Sequence, residues 1–71
     1  NLVGLSINQN TNLIYASDIT NDVLYVIDGT NNEIMEVIKV GEHPIAVDIN
    51  PETNTIYVVN EYSNSISVIT S

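Results

Sequence analysis

An all-β fold is predicted for this 71-residue sequence, and three observations predict it. Short runs rich in Val, Ile, Leu and Tyr alternate with tight polar clusters of Asn, Asp, Thr, Ser and Gly, the pattern of strands joined by turns. No window places apolar residues at helical spacing, and the β-branched content works against a helix. The stretch from Asn50 to Ile69 also has an earlier copy. A shift of about 42 residues lays Ile7-Asn8 on Ile49-Asn50, Thr11-Asn12 on Thr53-Asn54, Ile14-Tyr15 on Ile56-Tyr57 and Val26-Ile27 on Val68-Ile69. A period of roughly 40–45 residues with about four short strands points to β-propeller blades. The predicted architecture is therefore a β-propeller segment of about one and three-quarter four-stranded antiparallel blades. Residues 1–41 form the first blade and residues 42–71 an incomplete second, both belonging to a single larger propeller domain.

The elements follow in order. Leu2 to Ile7 alternates apolar with small or polar residues and predicts a strand. Asn8 to Asn12 is dense in Asn, which bonds its own backbone and tolerates left-handed dihedrals, so a hairpin turn is expected there. Leu13 to Ser17 predicts the second strand, Asp18 to Asp22 a polar loop, and Val23 to Asp28 a third strand rich in β-branched residues and Tyr. After a turn at Gly29 to Asn32, Ile34 to Val40 suits an outer edge strand, its Glu36 and Lys39 discouraging edge-to-edge pairing. Gly41-Glu42-His43-Pro44 is a connection in which Gly41 permits unusual dihedrals and Pro44 biases His43 toward an extended conformation. Ile45 to Asn50, Thr55 to Asn60 and Ser65 to Thr70 repeat the first three strands. The apolar run from Ile56 to Val59 predicts a strand buried on both faces, as when blades stack.

Charge and composition narrow the partners. Nine acidic residues stand against Lys39 alone, and the formal net charge is −8. Phosphate neutralisation needs Lys and Arg, so nucleic acid is not an expected partner, and an anionic membrane surface is disfavoured for the same reason. No apolar run approaches the roughly 18 residues of a spanning helix, so membrane insertion is not expected. With no Cys, a disulfide framework and a thiolate metal site are excluded while the compartment, cytoplasm included, stays open.

Tyr57-Val58-Val59-Asn60, Ser63 to Ile69, Val40-Gly41 followed by Pro44, and Asn50-Pro51 followed by Thr53-Asn54 resemble the YVTN-family β-propeller repeat. The similarity extends over essentially the whole chain and is to the blades of archaeal and bacterial surface-layer and extracytoplasmic propellers. It departs from the family at Val59, where the family name has Thr, and in the first copy at Tyr15-Ala16-Ser17-Asp18 and Gln9. The resemblance implies an extracellular or cell-surface setting and a non-catalytic module acting as a structural or interaction scaffold. The alternative it leaves is a fragment of an extracytoplasmic propeller enzyme or electron-transfer subunit, because fold alone does not choose an activity.

Propeller geometry sorts the loops onto two faces. Asp18, Asp22, Glu42, His43 and Glu61 share one face, and Asn8 to Asn12, Gly29 to Glu33 and Pro51 to Asn54 share the other. Asp18, Asp22, Glu42 and Glu61 are the candidate ligands for a hard cation such as Ca²⁺, which wants six to eight oxygens. No EF-hand-like spacing supports such a site, and an acidic surface that aids solubility is the plainer reading. No cofactor is otherwise implied. His43 and Tyr62 are the candidate interaction residues, for a protein or glycan ligand, whereas Tyr15 and Tyr57 lie inside strands and are expected to pack between blades. No nucleophile–base arrangement, phosphate-binding glycine loop or paired zinc ligands is present, and the innermost strands offer only Ser6 and Asp48 among apolar neighbours. Two stacked blades are expected to be less compact than a globule of their mass. They should need further blades, from the same longer chain or from identical copies completing a ring.

Overall fold

Seven antiparallel strands and no helix make up the described residues: β1 (Leu2–Asn8), β2 (Leu13–Asp18), β3 (Val23–Asp28), β4 (Glu33–Lys39), β5 (Pro44–Asn50), β6 (Thr55–Asn60) and β7 (Ser65–Thr70). The computed structural model describes residues 1–70, and Ser71, the last residue of the expected second blade, lies outside them. The strands form a four-stranded sheet in the order β1-β2-β3-β4 and a three-stranded sheet in the order β5-β6-β7. Within each sheet every strand pairs with its neighbour in sequence, as short hairpin connections demand.

The connections share one device. In each of the six, the residue just before the next strand has a positive φ: Asn12, Asp22, Asn32, His43, Asn54 and Asn64, between 52° and 61°. Five are Asn or Asp, the non-glycine residues that accept this conformation at least cost. The last residue of the preceding strand completes several of the turns. Asn8, Asp18, Asp28 and Asn50 each accept, through a side-chain oxygen, the N–H two residues on.

The connection at 40–43 differs from expectation. His43 is not extended but left-handed, with φ 58°, and no glycine in the described chain has a positive φ. Tertiary bonds outweigh the restriction imposed by Pro44. The His43 N–H donates to Asp22 Oδ1 at 3.0 Å, its carbonyl accepts from Glu61 N–H at 3.0 Å, and its ring stacks on Tyr62. Gly41 serves closeness rather than an unusual dihedral, since a Cβ there would stand 2.6 Å from Asn60 Cγ and 2.7 Å from Ser63 Oγ.

The core lies between the sheets. Tyr15, Leu24 and Val26 from the first sheet meet Ile56 and Val58 from the second, with Leu13, Ile38, Val40, Val47, Ile49 and Ile69 packed around them. β5 lies against β1 and β2, and the approach is close at Gly4, where a Cβ would fall 2.6 Å from Ser17 Oγ and 3.3 Å from the Ala46 backbone. Strand periodicity then assigns the outer faces. Val3, Leu5 and Ile7 are exposed on the far side of the first sheet, and Tyr57, Val59, Ile66 and Val68 on the far side of the second. β6 is therefore buried on one face only: Ile56 and Val58 are inside, while Tyr57 and Val59 are open, against the expectation of two-sided burial. The expectation of a loose shape is also corrected. The accessible surface of 4290 Å² is close to the roughly 4,400 Å² of a compact monomer of this mass.

Candidate functional site

The turns at 19–22, 40–43 and 61–64 come together at one end of the molecule, tied by backbone bonds. Val40 N–H donates to Asp22 O at 3.1 Å, Glu61 N–H to His43 O at 3.0 Å and Tyr62 N–H to Glu42 O at 3.2 Å. This end carries the five residues that sequence grouping had placed together. It does not assemble their carboxylates. Asp22 Oδ1 caps the His43 N–H, and Glu61 Oε1 lies 3.5 Å from His43 Nε2. Glu42 contributes backbone groups, its N–H donating to Ser63 Oγ at 3.2 Å. Among the described residues no three His, Cys, Asp or Glu side chains stand together in a way that could hold a metal ion.

Asp18 is the most heavily engaged carboxylate. It accepts from the Asn1 α-ammonium at 2.9 Å, from Thr20 and Asn21 N–H, from Asn21 Nδ2 at 3.0 Å and from the Tyr25 hydroxyl at 3.1 Å. The ammonium first, then the Asn21 amide and the turn N–H groups, hold its carboxyl well below the ordinary value of 3.8, outweighing the opposing effect of burial. Its oxygens are saturated with donors, which is the chemistry of a turn cap rather than of a free ligand.

His43 and Tyr62 form the distinctive surface of this end. Their rings stack with centroids 4.0 Å apart and planes 14° from parallel. His43 is partly covered, whereas Tyr62 is 70% exposed and is the side chain that protrudes. An exposed ring braced by a second ring suits contact with an apolar or flat group, within an acidic surround set by Glu61 and Glu42. Beside it runs an open groove of about 410 Å³ lined by Ile45, Val59, Asn60, Glu61, Asn64, Ser65 and Ile66. No family model matches the chain, and no curated protein matches it at a significant level. No helix among the described residues is long and apolar enough to cross a membrane.

Sequence reasoning passed over Asn60, and it grouped the loops of the opposite end without the bonds that join them. Asn60 corresponds to Asp18, 42 residues away, and is equally hidden, but its amide donates to Ser67 Oγ at 2.9 Å where Asp18 accepts from Tyr25. Because the Tyr62 N–H is spent on Glu42 O, Asn60 Oδ1 is buried without a hydrogen-bond partner. At the far end Asn8 Nδ2 donates to Asn54 Oδ1 at 2.9 Å and Asn10 Nδ2 to Pro51 O at 3.2 Å, stitching the two sheets together. The available signal was an Asn or Asp at ten-residue intervals, at 8, 18 and 28 and again at 50 and 60.

Proposed function

We propose that the chain is two successive blades of a β-propeller of the YVTN kind and acts as a non-catalytic structural or interaction scaffold. One observation carries this reading: the sheets stack front to back. The first sheet presents Tyr15, Leu24 and Val26 inward, yet the residues 42 positions on, Tyr57, Ile66 and Val68, face outward. The second sheet packs with the opposite face, on which Val47 and Ile49 correspond to the exposed Leu5 and Ile7. A front-to-front sandwich would bury like against like and stop. A front-to-back stack leaves one copy of each face open at its ends and continues until it closes on itself.

Propellers close with roughly four to eight blades. The partners of the open faces are further blades, of the same longer chain or of identical copies, and the His43–Tyr62 end is the place for a protein or glycan ligand at a cell surface. Sedimentation of the 71-residue chain across a concentration series tests the stacking. Reversible association that Val68→Asp abolishes is expected. A monomer at every concentration, indifferent to that substitution, would contradict the reading.

A further inference from the structure

The two sheets use the same backbone at the His43 end but carry different side chains on it. Ile19 N–H donates to Asn1 O at 3.0 Å, and 42 positions on Glu61 N–H donates to His43 O at 3.0 Å. Where the first unit has Asn1, Ile19 and Thr20, the second has His43, Glu61 and Tyr62. The three replacements meet: the His43 and Tyr62 rings stack at 4.0 Å, and Glu61 Oε1 lies 3.5 Å from His43 Nε2. None of the three belongs to the core between the sheets. Thr20 is exposed even with the second sheet packed beside its own, so the 70% exposure of Tyr62 goes with the position and not with a missing neighbour. His43 also holds a left-handed backbone, φ 58°, which Asn takes at less cost. Strain of this kind gathers at ligand-binding sites.

We propose that His43, Glu61 and Tyr62 form a recognition site for the guanidinium of an arginine side chain on a protein partner. The proposal rests on the scaffold reading and names the class of partner at that end. A guanidinium is planar, lies flat on an aromatic face and offers a fork of donors to a carboxylate. Tyr62 supplies the face, braced from behind by His43, and Glu61 supplies the carboxylate one residue away. The surroundings favour a cation. Glu42 is exposed and its carbonyl accepts the Tyr62 N–H, Asp22 caps the His43 N–H, and Lys39 is the one basic side chain against nine acidic ones. A neutral glycan would use the ring and leave that charge unanswered.

NMR titration of the full chain with a capped tripeptide bearing a central Arg, and with the same tripeptide bearing citrulline, tests this. Citrulline keeps the planar head and loses the charge. Saturable shifts confined to residues 41–44 and 61–64 are expected with the Arg peptide. Tyr62→Ala and, separately, Glu61→Gln should each weaken its binding by at least about three-fold. Equal affinity for the citrulline peptide, indifference to both substitutions, or equal shifts around Glu33 and Glu36 would overturn the proposal. So would the same local shifts with a neutral oligosaccharide, which would give the end to a glycan. Loss of Arg selectivity while Val68→Asp still abolishes association would remove this site and leave the stacking in place. Failure of that association test while the Arg peptide still binds at Tyr62 would remove the stacking and leave the site.

Discussion

The two sheets place corresponding residues in opposite surroundings. Tyr15, third in β2, is 2% exposed, and Tyr57, third in β6, is 41% exposed; Leu24 is fully buried and its counterpart Ile66 is 61% exposed. The backbone pattern is the same in both, since β2–β3 and β6–β7 pair in register over six residues each. Local sequence sets the strand and its turns, whereas a side chain's environment is set by which neighbour its face meets. Among the described residues thirteen large apolar side chains are left exposed, a pattern associated with interaction surfaces.

The sharpest way to break the comparison is to truncate both members of a pair. Tyr15→Ala should cost about 3–5 kcal/mol in urea denaturation and Leu24→Ala about 2–5, as for other buried side chains. Tyr57→Ala and Ile66→Ala should cost under about 1 kcal/mol in the dilute chain. Equal losses within a pair would show that the faces are wrongly assigned. A smaller effect is expected at the inter-sheet crossing. Gly4→Ala puts a methyl against Ser17 Oγ and the Ala46 backbone and should cost about 1–3 kcal/mol, while Ala46→Gly, on the open face, should cost about 1 or less.

Acid sensitivity separates Asp18 from Asn60. The folded pKa of Asp18 lies below its ordinary 3.8, so its contribution is fully present above about pH 4 and is lost as pH falls through the folded value. Asp18→Asn gives the first sheet the residue that the second already has. Between pH 4 and 2 the variant's denaturation midpoint should fall less steeply than that of the parent chain, and parallel slopes would contradict the assignment. The smallest effect belongs to Tyr62→Ala, expected to change stability by under about 0.5 kcal/mol, as befits a side chain available for contact.

The strands were legible because β-branched runs and Asn-rich turns report local preferences, and the strand starts fall within one residue of the sequence reading. His43 was misread because its dihedral is decided by Asp22, Glu61 and Tyr62, up to 21 residues away. The Ile56–Val59 run looked two-sided because its residues are apolar on both faces, and sequence does not say whether the second neighbour is present. The acidic loop residues were correctly placed at one end, yet their separate engagement with ring, turn and backbone depends on bonds that composition does not encode. Gly4 was invisible for a related reason: in an alternating strand a small residue reads as spacing, and only the crossing of β5 shows what it makes room for.

The central claim, that the sheets stack front to back, is tested most directly by tyrosine nitration of the folded chain, mapped by mass spectrometry at low and high protein concentration. The stacking predicts that Tyr15 is spared throughout, that Tyr62 reacts throughout, and that Tyr57 reacts in dilute solution but becomes shielded as copies associate. Equal reaction of Tyr15 and Tyr57 in the dilute, folded chain would contradict it.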